Sequence, residues 1–214
     1  MRYLLCYHRF RNKKTADLHP EKVWSAICPT GMDKSMSIYN TMITILTQNC
    51  NLISQSFYDS VINRIQFHQL TCSCGHSACM TIHGYYHRSI KLPDGTLRLR
   101  ICRVRCSECG RTHSLLLSSI VPYSQIRTCD QQQICIAYEQ HLSTVSACDS
   151  NPELDENNVK SILRNYRRHW RERLKSLRIR LSPLIPLIRS CFADYSAQFM
   201  QIHRGPNKLF SYTT

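Results

Sequence analysis

Two cysteine clusters constrain this chain more than any other feature. They are Cys72-Ser-Cys74-Gly75-His76-Ser-Ala-Cys79 and Cys106-Ser-Glu-Cys109-Gly110, separated by the segment from Met80 to Arg105. A Cys-x-x-Cys pair with a trailing glycine forms a metal knuckle, because the glycine permits a tight turn that aims backbone N–H groups at sulfur. A small three-stranded sheet of about 45 residues buries too little apolar surface to fold unaided, so a bound metal would supply the missing free energy. Four of the five thiols are therefore expected to hold a structural Zn2+: Cys106 and Cys109, with two of Cys72, Cys74 and Cys79, and His76 as a lesser substitute. A catalytic zinc is disfavoured, since such sites pair His and carboxylate ligands with an open position.

The intervening segment has the periodicity of a hairpin. Leu97, Leu99 and Ile101 alternate with Arg98 and Arg100, the stretch from Met80 to Ser89 is rich in Thr, Ile and Tyr, and Pro93-Asp94-Gly95 supplies the turn. The alternation breaks at Cys102, with Val104 on the opposite parity, which predicts a bulge or a change of burial just before Cys106. Thr112 to Leu117 can add a third strand.

Thirteen cysteines, an odd total, argue against a fully paired disulfide framework. Cys6, Cys28, Cys50, Cys102, Cys129, Cys135, Cys148 and Cys191 are read as core thiols. The start of the chain has too short an apolar run for a signal peptide. Apolar stretches such as Met42 to Leu46 fall short of the roughly 20 residues of a membrane span. A soluble, cytoplasmic protein without a membrane partner is expected.

The 28 Lys and Arg outnumber the 14 Asp and Glu, for a net charge of +14, while a hydrophobic fraction of 43% indicates a chain that folds. A polyanion is the implied partner, and the arginine-rich balance favours nucleic acid, DNA over RNA. Residues 1–33 carry a basic patch, Arg9, Arg11, Lys13 and Lys14, without periodicity. Tyr39, Met42, Ile43 and Leu46, then Phe57, Val61, Ile62 and Ile65, recur at helical spacing and predict two amphipathic helices between Ser37 and Gln69.

Behind the clusters, Asp130 to Leu142 predicts a helix with Ile134, Ala137, Tyr138 and Leu142 on one side, and Ser143 to Cys148 a shorter one. Asp155 is placed to cap a long helix running to about Leu177, with Leu154 and Val159 as a hydrophobic staple. On that helix Val159, Ile162, Leu163, Tyr166, Trp170, Leu174 and Leu177 form an apolar stripe. Lys160, Arg164, Arg167, Arg168, Arg171, Lys175 and Arg178 form a cationic one roughly 120° away. Most of these cations lack an i+4 carboxylate in the sequence, which suits a phosphate backbone lying against them. The order of helices predicts a helix-turn-helix-like unit whose last helix enters the major groove. Further cations stand on the hairpin at Arg98, Arg100 and Arg103, with Arg88, Lys91 and Arg105 beside Tyr85, Tyr86 and His87. Pro183 and Pro186 end the helix, and Leu184 to Gln201 can form a closing one.

The stretch from Cys72 to Gln125, with His83 to Arg88, Arg103 to His113 and Val121 to Ser124, resembles an uncharacterised bacterial zinc-ribbon family. It is also similar to the N-terminal zinc ribbon, followed by a helix-turn-helix, of insertion-sequence transposases. The resemblance to the first family continues through Asp155 to Val159, Tyr166 to Trp170 and Gln198 to Ile202. It implies binding to transposon or promoter DNA, in a bacterial setting and with nucleoid association. Transposases carry a large domain with three separated carboxylates, but after the basic helix Asp194 is the sole acid, so no catalytic residues are assigned.

The sequence thus predicts an α+β chain in three parts: a mostly helical segment over 1–69, a three-stranded zinc ribbon over 70–125, and a helical, helix-turn-helix-like region over 126–214. The function expected is DNA binding without catalysis. A protein-docking ribbon, a nuclease or transposase fragment, and association with a protein partner or a second copy stay open.

Overall fold

The alternation around Leu99 does produce a hairpin. In the computed structural model, which describes residues 42–47, 52–149, 151–182, 184–195 and 198–201, it comprises β2 (Met80–Leu92) and β3 (Gly95–Cys106). These strands pair antiparallel from Leu92↔Gly95 to Met80↔Cys106. The described residues all fall in one compact unit, Asn40–Thr214. The basic patch Arg9 to Lys14 and Cys6, Cys28, Tyr39 and Cys50 lie outside the described residues.

The predicted bulge is present, on β2 rather than β3. The register shifts between Ile82 and Gly84, opposite Val104 and Arg103, and Gly84 takes φ +153° there. Burial along β3 passes from Leu99 and Ile101 to Cys102, Val104 and Cys106, all at most 0% exposed. Neighbouring residues of a strand face opposite ways, so burial of both sets means that β3 is covered on both faces here, and all five residues belong to one core cluster.

β4 (Thr112–Leu117) pairs antiparallel with β3 over Arg103↔Ser114, Val104↔His113 and Arg105↔Thr112. The sheet is four-stranded and mixed, not three-stranded. β1 (Met42–Ile45) lies parallel to β4, from Met42↔Ser114 to Ile45↔Leu117, giving the order β1-β4-β3-β2. The helix expected around Met42 and Ile43 is therefore a strand. A short run such as Met-Ile-Thr-Ile satisfies helical and strand spacing alike. What decides it is β4, whose Leu115, Leu116 and Leu117 are fully buried and whose outer backbone groups need a partner once removed from water.

α1 (Gln55–Ile62) is the second of the two expected helices, capped by Ser54, whose Oγ accepts from the Phe57 N–H at 3.1 Å. It seals the seam between β3 and β4. Tyr58, fully buried, accepts from the Cys102 N–H at 2.8 Å and donates to the Leu115 carbonyl at 2.9 Å. Its hydroxyl occupies the position of a ladder bond where the strands diverge. One turn earlier Gln55 treats Arg100 as a strand neighbour would: its Oε1 accepts from the Arg100 N–H at 2.7 Å and its Nε2 donates to the Arg100 carbonyl at 3.3 Å.

The helical layer contains α2 (Thr128–Glu139), α3 (Val145–Asp149), α4 (Glu156–Asn165), α5 (Arg171–Ser176) and α6 (Leu187–Tyr195). Asp155 caps α4 as predicted, accepting from the Asn158 N–H at 2.7 Å, with Leu154 and Val159 both buried. The single helix expected to reach Leu177 is interrupted by a π-helical turn, Tyr166–Trp170. The wider turn sets later side chains back around the axis, so Trp170 and Leu174 stay buried while Leu177 is 38% exposed. Leu142, expected on the buried side of α2, lies beyond its end and is exposed.

Trp170 is the centre of this layer, with its ring 5.8 Å from Tyr195 and 5.4 Å from Phe199. Polar side chains tie it to the sheet. Gln198 donates to the carbonyls of Ser118 and Ile120 and accepts from Thr44. Lys91 on β2 donates to the Glu153 carbonyl at 2.8 Å and to Asn158 Oδ1 at 2.9 Å.

Candidate metal centre

Each cysteine cluster folds as a tight turn because a glycine closes it. Gly75, at φ +92°, donates its N–H to the Cys72 carbonyl, and Gly110, at φ +70°, donates to the Cys106 carbonyl. The first turn precedes β2 and the second joins β3 to β4. The hairpin register brings them together, since Met80 pairs with Cys106 and the Ser107 N–H donates to the Cys79 carbonyl at 2.8 Å.

The result is a cluster of four sulfurs, Cys72, Cys74, Cys106 and Cys109, all within 4.8 Å of one another. Cys72 and Cys109 sulfurs are 3.5 Å apart, and those of Cys74 and Cys106 are 3.7 Å apart. A tetrahedral site with metal–sulfur bonds of about 2.3 Å has sulfur–sulfur edges of about 3.8 Å, so the spacing fits a metal ion held by four thiolates. Of the three first-cluster candidates, the fold brings Cys72 and Cys74 into the four-sulfur set. Cys79 stands outside it, its sulfur 3.3 Å from that of Cys106.

The local electrostatics divide the thiols. Burial raises Cys74, yet hydrogen bonds from the His76 backbone and ring and from the Cys72 and Cys109 thiols outweigh it and hold Cys74 down at about 6. Cys106 is likewise opposed by burial but lowered, chiefly by the Cys109 N–H, 3.5 Å from its sulfur. Burial pushes Cys72 and Cys109 up, and pushes Cys79 to about 11 with the neighbouring Cys106 sulfur adding to it. Cys74 is thus favoured as an anion, Cys106 is shifted in the same direction, and the others are shifted towards the protonated thiol.

His76 does not join the four sulfurs; its Nδ1 lies 3.4 Å from Cys74 Sγ at the surface. The residue missed in the sequence is His113. It is fully buried on β4, opposite Val104, with Nε2 3.3 Å from Cys72 Sγ. An imidazole there orients a ligand sulfur from outside the metal's own shell. Its only sequence signal is its place four residues after Cys109.

The candidate nucleic-acid residues are dispersed in role. Lys160, Arg164, Arg167, Arg168, Lys175 and Arg178 are exposed, and Arg171 is half-buried. Three of the seven have acidic partners, Lys160 with Glu156 at 2.7 Å, Arg171 with Glu139 at 2.8 Å and Lys175 with Glu172 at 3.5 Å. Glu139 belongs to α2, so its pairing with Arg171 was invisible to helical spacing. Arg98, Arg100 and Arg103 are exposed on the hairpin, Arg100 lying 4.5 Å from the Tyr85 ring centroid. Arg88 instead serves the fold, donating to the carbonyls of Val121 and Ser124 at 2.6 Å each.

Residues 71–158 match a domain of unknown function (DUF6431), a span that holds both knuckles, β2 to β4, α2, α3 and the start of α4. No curated protein and no solved structure matches the chain. Among the described residues no helix is long and apolar enough to cross a membrane.

Proposed function

We propose that this chain is a nucleic-acid-binding protein whose fold depends on a structural Zn2+ held by Cys72, Cys74, Cys106 and Cys109. Four thiolates at tetrahedral spacing with no open position suit zinc and structural rather than catalytic use. The ion would pin the two knuckles together, and its chemistry would end there.

The observation that carries the nucleic-acid reading is the distribution of unmatched charge. Among the described residues no carboxylate lies within 4.0 Å of Arg98, Arg100, Arg103, Arg164, Arg167, Arg168 or Arg178. Exposed arginines left unpaired on a chain of net charge +14 are what a phosphate backbone neutralises. In this reading α2, α3 and α4 act as a helix-turn-helix-like unit presenting Arg164, Arg167 and Arg168 to DNA, with the hairpin arginines as a second anchor. The resemblance to transposase ribbons supports a role at transposon or promoter DNA, without catalysis.

Two measurements test this together. Native mass spectrometry of the purified protein is expected to show one zinc per chain, lost when Cys106 and Cys109 are both serine. A gel-shift series from about 50 to 200 mM salt is expected to show affinity for DNA falling by orders of magnitude. Protein without zinc removes the first half of the reading, and binding that is flat with salt, or absent, removes the second.

A further inference from the structure

The hairpin turns one face to the protein and the other to solvent. Paired residues of two strands share a face, and neighbours along one strand alternate. Tyr86↔Ile101 and Arg88↔Leu99 point inward, with Leu99 and Ile101 fully buried and Arg88 tied to the carbonyls of Val121 and Ser124. Tyr85↔Cys102, His87↔Arg100 and Ser89↔Arg98 therefore share the opposite face. Cys102 is buried there, but Tyr85, His87, Arg98 and Arg100 are exposed. β4 pairs with β3 only from Arg103 to Arg105, so over Tyr85–Ser89 and Arg98–Cys102 the ribbon is two strands wide.

The described fold leaves this face cationic. Among the described residues no carboxylate lies within 4.0 Å of Arg98 or Arg100. The Arg100 guanidinium lies 4.5 Å from the Tyr85 ring centroid, an attraction that restrains a long side chain without giving its N–H groups an oxygen acceptor. Arginines at every second residue of an open strand have a specific match. Residues i and i+2 stand about 6.8 Å apart, which is two base-pair steps of about 3.4 Å each. The major groove of B-DNA, about 12 Å wide, admits a two-stranded ribbon, and an arginine in it donates to guanine O6 and N7 together. The deep, narrow major groove of an RNA helix excludes side chains, so the fit is to DNA.

We propose that the outer face of the hairpin reads guanine in the major groove of duplex DNA through Arg98 and Arg100, with His87 and Ser89 as polar contacts on the paired strand. This rests on the nucleic-acid reading above and deepens it, giving base contacts to the ribbon and leaving phosphate contacts to Arg164, Arg167 and Arg168. Arg103 supplies the contrast. It pairs with Gly84, one step along from Cys102, so it faces the other way, 6.0 Å from the Tyr86 ring centroid.

The test uses the full zinc-loaded chain and fluorescence anisotropy with three labelled duplexes of equal length: alternating G·C, alternating A·T, and the G·C duplex with 7-deazaguanine in place of guanine. The last keeps backbone charge and base pairing and loses the N7 acceptor of the major groove. The native chain is expected to bind the natural G·C duplex about fivefold or more tighter than either of the others. Lysine keeps the charge but not the paired donors, so the double variant Arg98→Lys, Arg100→Lys is expected to lose that preference while holding its A·T affinity within about twofold. Arg103→Lys is expected to leave the preference in place. If the 7-deazaguanine duplex binds as tightly as the natural one, or the double variant keeps the native preference, the ribbon does not read guanine and only the broader reading stands. If the native chain binds no duplex at low salt, both fall.

Discussion

Replacing Tyr58 by phenylalanine removes one oxygen from the seam between β3 and β4, and the cost can be worked from its two bonds. The hydroxyl accepts from the Cys102 N–H at 2.8 Å and donates to the Leu115 carbonyl at 2.9 Å, with Tyr58, Cys102 and Leu115 all fully buried. Deletion orphans one backbone donor and one acceptor, each at about 1–3 kcal/mol. No water can take over, because the ring still fills most of the site and a water needs roughly 10–15 Å³ with several polar partners. The gain from a slightly more apolar ring offsets part of this, leaving an expected loss of about 2–4 kcal/mol, a large share of the 5–15 kcal/mol that typically holds a domain together. Gln55 provides the control. It too makes two hydrogen bonds to strand backbone, at Arg100, but in an exposed position where water replaces them, so Gln55→Ala is expected to cost at most about 1 kcal/mol. Urea denaturation of the metal-loaded proteins measures both, with amide exchange at Cys102 as a local readout. If Tyr58→Phe costs no more than Gln55→Ala, burial is not what gives the bridge its value and the reasoning is wrong.

Acid should release the metal. Cys74 is lowered to about 6, so its anion contributes fully above the ordinary thiol range near 9 and is lost as pH falls through 6; Cys106 has the same sign. Zinc retained against a colorimetric chelator should hold near pH 8 and collapse around and below pH 6, whereas retention unchanged down to pH 5 would contradict thiolate ligation. Because Cys74, at about 6, already favours the anion, zinc binding at neutral pH should release fewer than four protons, as measured in weak buffer. In the helical layer, Trp170→Ala removes a fully buried ring packed edge-to-face against Tyr195 and tilted against Phe199. A loss of about 3–5 kcal/mol is expected, read by chemical denaturation, and a loss below about 1 kcal/mol would mean the ring is not the core of that layer.

The hairpin was legible because its signals are local: alternation along Leu97 to Ile101 and a Pro-Asp-Gly turn. So was the cap at Asp155, where one side chain reaches an amide three residues on. The choice among Cys72, Cys74 and Cys79 was not, because spacing alone permits any pair. It is made in space by the turn that Gly75 closes and by Cys79 standing directly ahead of β2, with its carbonyl already bonded to Ser107. β1 escaped notice for a related reason: a four-residue run, Met-Ile-Thr-Ile, is too short to tell a strand from a helix by its period, and the strand that claims it is distant in sequence. The cationic stripe was misjudged where its partner lay off the helix, as Glu139 does for Arg171.

The metal cluster and the Tyr58 bridge act on the same weak point. β2 and β3 are joined by twelve residue pairs, and β3 and β4 by only three, Arg103 to Arg105 against Thr112 to Ser114. Beyond them β4 leaves β3 to take β1 as its neighbour. A three-pair ladder is too short to persist without support at its ends. One end is closed by the turn that carries Cys106 and Cys109, and the other by the phenol hydroxyl between Cys102 and Leu115. His113 sits within the ladder and reaches Cys72, binding it to the first knuckle as well. A metal at the four sulfurs would therefore stabilise the path by which β4, β1 and the loop carrying Tyr123 attach to the hairpin, more than the hairpin itself.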